Sequence, residues 1–436
     1  LTKSAKESSR LKEKFKIPKG FQDVIPPHIS VWQYIENTAS RTFRNYGYKE
    51  IRIPVVEHTE VFVRSIGEST DIVEKEMYTF RDRADRSLTL RPEGTAPLVR
   101  CYVQHGLHTQ PSPQKYYYSG PMFRYERPQK GRLRQFYQIG AEAFGVDDPY
   151  IDAEMIGMIR DFLQKIGMSD LSYEINSIGC ADCRPDYKIA LKEYISSKLN
   201  EYCEDCNRRY DTNTLRVLDC KVPGCKEASL KAPLIKDYLC ENCKDHFGSF
   251  RTYLEEMNIG YEINPRIVRG LDYYTRTIFE ITTTELGSQN AVVAGGRYDR
   301  LVEEFGGPSM PAVGFALGME RLAELVSHHG KRHDEVPNLF VICMNENARN
   351  TGISIVQKLR SGGLWCEINY SFSALGKQLK RADRAGARYV FIIGDDELEA
   401  GNVKYKRLSD GKEGHIGIDN FDEMVETVSR TGGQEI

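Results

Sequence analysis

Hydrophobic and polar positions alternate along RQFYQIGAEAF, residues 134–144, and the alternation sorts the side chains of a strand onto two faces. Tyr137, Ile139, Ala141 and Ala143 share one face, which suits a core. Phe136, Gln138, Gly140 and Glu142 share the other: a ring, an amide, a gap and a carboxylate. Runs rich in β-branched and aromatic residues predict further strands at IRIPVVE (51–57), KYYYSGPMF (115–123), TIFEITT (277–283) and NAVVAGG (290–296). Several follow one another with no helix between, which predicts antiparallel pairing. VGFALGMERLAEL (313–325) reads as a strand, a Gly turn and a helix with Arg321 in its first turn. These elements predict an α+β body over 17–330 with a mostly antiparallel sheet. Between 178 and 262 the pattern turns largely helical, as in IALKEYISSKLNEY, and eight of the eleven cysteines fall there, so this stretch reads as an insertion. Near Pro337 the pattern changes again. PNLFVICMN, GISIVQKLRSGG, LWCEINY, ALGKQLKRADRAG and ARYVFIIG alternate strand with Gly-stopped helix and predict a C-terminal α/β domain over 337–436. Residues 1–16 read as a disordered basic tail.

The loop joining two of the strands changes the picture. FRYERPQKGRLRQF (123–136) carries five basic residues from Arg124 to Arg134 and a single acid, Glu126, with Pro128 and Gly131 making the turn. Arg124 and Glu126 are in phase. A sheet face bearing arginine, glutamate, glutamine and a ring is costly to desolvate without a polar or polyanionic ligand. It reads as a nucleotide pocket, with Arg124 gripping a phosphate through its planar fork and Phe136 stacking on a base. A solvated hairpin is the competing reading, and the alternating polar face counts against it. Three further stretches point the same way. TLRPEGTAPLVR (89–100) presents Glu93 at a Pro-Glu-Gly turn. RGLDYYTRTIFE (269–280) needs a bend at Gly270–Asp272 for Arg269 and Tyr274 to line one site. Arg321 stands near a helix N-terminus, which itself attracts anions.

Composition sets bounds on all this. The 436 residues are enough for two or three domains, and 60 basic against 62 acidic residues leave a net charge of -2. A protein drawn to nucleic acid by its overall charge is thereby excluded, so any anion site is local. No apolar run reaches the length of a membrane span, and the N-terminal stretch has no apolar core of the kind a signal peptide carries. The clustered cysteines fit a reducing, cytoplasmic setting and a metal rather than disulfides.

Together these stretches resemble the histidyl-tRNA synthetases, of bacterial type, within the class II aminoacyl-tRNA synthetases. The resemblance runs from about Gly20 into the C-terminal domain. FRYERPQKGRLRQF is similar to the second motif of the class, GFALGMERL to the third, and GYKEIRIPVVE, with Pro54, to the first, dimer-forming one. RGLDYYTRTIFE and TLRPEGTA are similar to stretches particular to the histidine enzymes and make the match specific. The resemblance implies ATP-dependent ligation of histidine to its tRNA through a histidyl-adenylate, with Mg²⁺ on the phosphates, in a cytoplasmic homodimer. It implies a catalytic set of Arg124, Arg269 and Arg321. Arg124 would hold the α-phosphate, Glu126 meet the adenine edge, Phe136 stack on the adenine, and Arg321 bind the γ-phosphate side. Arg269 would reach the α-phosphate and the substrate carboxylate. Glu93, Thr95 and Gln138 would surround the amino acid group of the histidine. Glu142 and Tyr274 would bond the imidazole nitrogens, with Gly94, Tyr273 and Tyr298 nearby. Gln129 and Arg134 would sit by the tRNA acceptor end. The competing class is the synthetase-like regulatory subunit of histidine biosynthesis, which does not charge tRNA; it usually lacks the anticodon domain and departs from the catalytic motifs.

The cysteines form four close pairs: Cys180 with Cys183, Cys203 with Cys206, Cys220 with Cys225, and Cys240 with Cys243. They predict two structural Zn²⁺ sites built from successive or interleaved pairs. Packed thiols in a helical insertion are the alternative. Cys101, Cys343 and Cys366 stand alone and read as core thiols. In the last domain Lys377, Lys380, Arg381 and Arg384 fall on one helix face, a basic stripe suited to an RNA backbone. The resemblance implies that this domain binds the anticodon stem and loop.

Overall fold

The computed structural model describes residues 16–67, 70, 72–129, 131–268, 271–286, 291–328 and 335–429. Arg269, and the expected tail apart from its last residue, lie outside them. The chain divides into two compact units, Leu1–Arg332 and His333–Ile436.

The first unit holds eleven strands among the described residues: β1 (Lys49–Glu50), β2 (Val56–His58), β3 (Tyr78–Arg81), β4 (Ser87–Leu90), β5 (Gln114–Phe123), β6 (Gln135–Phe144), β7 (Ser172–Ser177), β8 (Glu262–Ile263), β9 (Thr275–Thr282), β10 (Ala291–Arg297) and β11 (Ala312–Gly318). Eight of them form one sheet in the order β1-β5-β6-β11-β10-β9-β7-β8. Pairing is antiparallel from β5 to β7 and parallel only at the two edges. Strand alternation then divides the side chains. Tyr117, Ile139, Ala141, Ala143, Phe279, Ile281 and Phe315 face one core, under the helices His28–Asn45, Tyr150–Lys165 and Met319–His328. The helix His28–Asn45 docks there through Trp32, Ile35, Ala39 and Phe43, a stripe at helical spacing. Tyr116, Tyr118, Phe144 and Ile278 face a second core, with Leu98, Val99 and Tyr102 of the helix Thr95–Gln104.

One expected strand is broken. IRIPVVE (51–57) begins just after β1 and runs into the start of β2, with no ladder over its first five residues. Pro54 has no N–H to give to a ladder, and the carbonyls of Ile53 and Val55 instead accept from Arg91 Nη1 and the Arg91 N–H at 2.8 and 2.9 Å. The chain leaves the large sheet here and joins the small antiparallel sheet β2-β4-β3. The expected Gly turn before Arg321 is also missing: β11 ends at Gly318 and the helix starts at Met319.

The cysteine-rich stretch has its own core from Cys183 to Cys243, filled by Tyr187, Leu191, Ile195, Val217 and Ile235. The helix Glu241–Glu256 that leaves it buries Phe250 and Leu254 in the main core. The independent part of the insertion is therefore shorter than 178–262.

The second unit holds β12 (Leu339–Cys343), β13 (Cys366–Ile368), β14 (Tyr389–Ile393), β15 (Asn402–Arg407) and β16 (Glu413–Gly417), ordered β13-β12-β14-β15-β16. The first three strands are parallel and the last two antiparallel. Both faces are covered, by cores around Leu339, Val341 and Phe391 on one side and Phe340, Ile342 and Val390 on the other. Cys343 and Cys366 are buried there, and Cys101 is half-buried in the first unit.

Candidate active site and metal centres

A cavity of about 610 Å³ opens over β6, β9, β10 and β11. Its wall includes Glu93, Thr95, Arg124, Glu126, Phe136, Gln138, Tyr273, Tyr274 and Arg321. Nine residues scattered over the sequence thus meet in one place. Antiparallel pairing does this: β5 and β6 deliver the loop ends, and β11 runs straight into the helix that carries Arg321.

Arg124 and Arg321 are each held by a backbone carbonyl. Arg124 Nε donates to Pro92 O at 2.9 Å, and its guanidinium lies 5.1 Å from the centre of the Phe136 ring. Arg321 Nη1 donates to Ala291 O at 2.5 Å, while burial and then the neighbouring Arg132 push its pKa down. Glu126 pairs with Arg132 Nε at 2.7 Å. Glu93 accepts from the N–H groups of Thr95 and Ala96 at 2.6 and 2.9 Å, so it also caps the start of the helix Thr95–Gln104. Gln138 Oε1 is buried, with no hydrogen-bond partner among the described residues. An orphaned acceptor on a cavity wall fits a ligand that brings a donor.

Glu142 and Tyr298 lie one layer behind this wall, both fully buried. Tyr298, expected on the wall itself, instead donates its hydroxyl to Glu142 Oε2 at 2.6 Å, and Thr95 Oγ1 donates to Oε1 at 2.7 Å. Burial pushes the Glu142 carboxyl up to about 8 against these two bonds. Glycine makes the space. Gly314 pairs with Glu142 across β6 and β11, and a Cβ there would stand 1.5 Å from Glu142 Oε2. Gly94 and Gly140 do the same for the Tyr118 ring, 2.2 and 2.4 Å from their Cβ positions. Tyr118 was not legible as a site residue, because KYYYSG has aromatics in both phases. Its cross-strand partner Gly140 is the signal that marks it. Tyr273 and Tyr274 pack with ring centres 4.7 Å apart, past the bend over 271–273.

Gln129 and Arg134 stand apart from this cavity. Gln129 is exposed at the loop tip, bridged to Arg132. Arg134 folds back onto its own loop: its guanidinium sits 4.0 Å from the Tyr125 ring centre, and Nε donates to Glu126 O at 3.2 Å.

The cysteines form two four-sulfur clusters, and within each cluster all sulfurs lie within 4.8 Å of one another. The pairing is nested, neither successive nor interleaved: Cys180 and Cys183 join Cys240 and Cys243, enclosing the set Cys203, Cys206, Cys220 and Cys225. The outer set sits where the chain enters and leaves the insertion, so those two pairs are the ones brought together. Sulfur separations of 3.6 Å (Cys180–Cys183), 4.0 Å (Cys180–Cys240) and 3.9 Å (Cys203–Cys220) are far above a disulfide bond. They match the edge of a tetrahedron with metal–sulfur bonds of ~2.3 Å, about 3.8 Å. The N–H groups of Cys240 and Cys203 donate to Cys183 Sγ and Cys225 Sγ at 3.1 and 3.2 Å, outer bonds of the kind that settle thiolates.

An antiparallel sheet that gathers two arginines, an aromatic face and a buried polar pocket, with a separate α/β unit behind it in sequence, defines a class II aminoacyl-tRNA synthetase. Residues 20–322 match the family model for histidyl-tRNA synthetase, and 338–427 match the anticodon binding domain. The histidine–tRNA ligase of Thermodesulfovibrio yellowstonii is 52% identical over 412 residues, covering 94% of this chain and 98% of the relative. That of Syntrophotalea carbinolica is 49% identical over 407 residues, 93% and 97% of the two chains. The crystal structure of apo S. aureus histidyl-tRNA synthetase superposes with a TM-score of 0.80 at 37% identity, covering 95% of this chain and all of that one. The chain belongs to the histidyl-tRNA synthetase family.

Proposed function

We infer that the chain ligates L-histidine to its tRNA at the expense of ATP, through a histidyl-adenylate. The observation that carries this reading is one cavity wall bearing Arg124, Arg321 and Phe136 beside Thr95 and the orphaned Gln138 acceptor. In the first step the histidine carboxylate attacks the α-phosphorus and pyrophosphate leaves; in the second a terminal ribose hydroxyl of the tRNA attacks the adenylate carbonyl. Phosphoryl transfer asks a protein for alignment and charge neutralisation rather than a covalent group, which suits arginines held by backbone carbonyls. Arg124 serves the α-phosphate and Arg321 the far phosphates, and Arg269 joins them. Phe136 and Glu126 hold the adenine. Gln138, Glu93 and Thr95 receive the ammonium group. Tyr274, Tyr273 and the Glu142–Tyr298 pair behind Thr95 select the imidazole, and a pocket that loses hydrogen bonds to an apolar competitor discriminates strongly. Gly94, beside Glu93 and Thr95, leaves room for the Tyr118 ring that packs behind them. Gln129 and Arg134 meet the acceptor end of the tRNA. Mg²⁺, when bound, neutralises phosphate charge, and Glu280 on the cavity wall offers the oxygen donor it takes.

The reading extends to a cytoplasmic homodimer. Val56 and Phe80, 39% and 44% exposed on the small sheet, are the apolar side chains that support the dimer. It also extends to two structural Zn²⁺ ions in the nested cysteine sets, supported by their tetrahedral sulfur spacing. The regulatory-subunit reading has less behind it, since an anticodon-binding match follows the catalytic one.

The test is ATP–pyrophosphate exchange without tRNA, run with histidine and a panel of other amino acids. Exchange with histidine alone is expected. Absence of exchange with every amino acid, from folded protein, would transfer the chain to the regulatory class.

A further inference from the structure

The catalytic cavity is lined by five cations among the described residues: Arg124, Arg132, Arg321, Lys221 and Lys226. Six carboxylates line it too. Without the two lysines, three cations among the described residues, with Arg269 outside them, would face six carboxylates in a cavity that has to accept a triphosphate. The arginines are partly committed. Arg132 is paired with Glu126 at 2.7 Å, and Arg124 and Arg321 each give one nitrogen to a carbonyl. Lys221 and Lys226 are exposed on the cavity wall and form no ion pair among the described residues.

Both lysines come from the insertion, and their placement is not left to a flexible loop. Lys221 directly follows Cys220 and Lys226 directly follows Cys225, two members of the inner sulfur set. That set is anchored over the catalytic body. Arg266 donates to Ser229 O and Leu230 O at 2.5 and 2.6 Å, Asn213 Nδ2 donates to Asp272 Oδ1 at 2.7 Å, and Arg208 pairs with Glu74 at 2.8 Å. Asp272 adjoins the tyrosines of the cavity wall.

We propose that Lys221 and Lys226 bind the triphosphate of ATP before the first step and pyrophosphate after it, as cations that the insertion supplies to the catalytic cavity. The proposal rests on the ATP-site reading above but holds whichever metal the inner set carries. It is tested in the full chain with Lys221→Ala/Lys226→Ala, by pyrophosphate exchange, by aminoacylation of tRNA and by the metal content of the same samples. The KM values for ATP and for pyrophosphate are expected to rise together by about tenfold, as for loss of charge-assisted contacts. The histidine KM and the metal content stay as in the parent, and Lys221→Arg/Lys226→Arg recovers most of the loss. Unchanged KM for both ATP and pyrophosphate would overturn the proposal. So would a change confined to the tRNA KM, which would assign the lysines to RNA phosphates. A KM rise accompanied by metal loss and not recovered by the arginine pair would make the effect structural and overturn it as well. A parent enzyme with no exchange is a failure of the ATP-site reading and is seen before any variant is made.

Discussion

Glu142 shows how much one buried position can report. Its carboxyl is enclosed by Thr95, Tyr298 and Gly314, and burial raises it to about 8 from the usual 4.5. The folded protein therefore holds a proton there that the unfolded chain has released. Its contribution to stability is full below the unfolded pKa and falls as pH rises through the folded one. Glu142→Gln cannot ionise, so the melting temperature of the ligand-free variant should fall less between pH 5 and 8 than that of the parent. Parallel melting curves across that range would remove the assignment. Glu320, raised to about 7 mainly by burial, has the same sign and stays in both proteins. The same variant tests selection of substrate: the histidine KM should rise by about tenfold, with ATP KM unchanged, as the carboxyl that Thr95 and Tyr298 bond behind the wall is lost. Glu142 was legible from the polar phase of its strand. That it stands behind Thr95 rather than on the wall was not, because depth depends on glycines in two neighbouring strands.

At the scale of elements, β6 was read almost to the residue, since alternation alone assigns its faces. IRIPVVE was not, because Pro54 breaks a ladder that composition favours. The nested cysteine sets belong here too. The outer set encloses residues 184–239 and the inner set 207–219. Loop-closure cost grows with the logarithm of length, so cross-linking the longer loop constrains the unfolded chain more, by about 1 kcal/mol. If both sets carry a metal as proposed, Cys183→Ser should therefore destabilise more than Cys206→Ser in denaturant unfolding of metal-loaded protein, with each variant one metal short of the parent. The opposite order would discard the loop-closure account. Arg297 offers a second element-level check. Wholly buried on β10, it meets Asp152 Oδ1 of the helix Tyr150–Lys165 at 2.7 Å and donates to Val146 O at 2.8 Å. Arg297→Met should cost about 3–5 kcal/mol, since the Asp152 carboxylate is left buried without its partner. A loss under 1 kcal/mol would mean that Asp152 simply takes up a proton there.

At the scale of the whole molecule, the second unit, which matches the anticodon binding domain, presents a basic stripe. Lys377, Lys380, Arg381 and Arg384 are all exposed on the helix Leu375–Arg384, whose Leu375, Leu379 and Ala382 pack on the sheet. Replacing the four with alanine should leave tRNA-free pyrophosphate exchange intact. Aminoacylation should fall through the tRNA KM, by about tenfold or more, with a shallower dependence on salt. An unchanged tRNA KM would return the stripe to a solvated surface.

The sequence by itself determined the antiparallel body, the helical cysteine-rich insertion and the C-terminal α/β domain. Periodicity, turn residues and cysteine spacing are local, and local patterns are written in consecutive residues. Only the tertiary structure decided which cysteine pairs meet, that Glu142 and Tyr298 sit behind the wall, that Arg134 turns onto Tyr125, and that Lys221 and Lys226 reach the cavity. Those outcomes depend on which distant segments are pressed together when the sheet closes over its two cores, and no spacing along the chain records that.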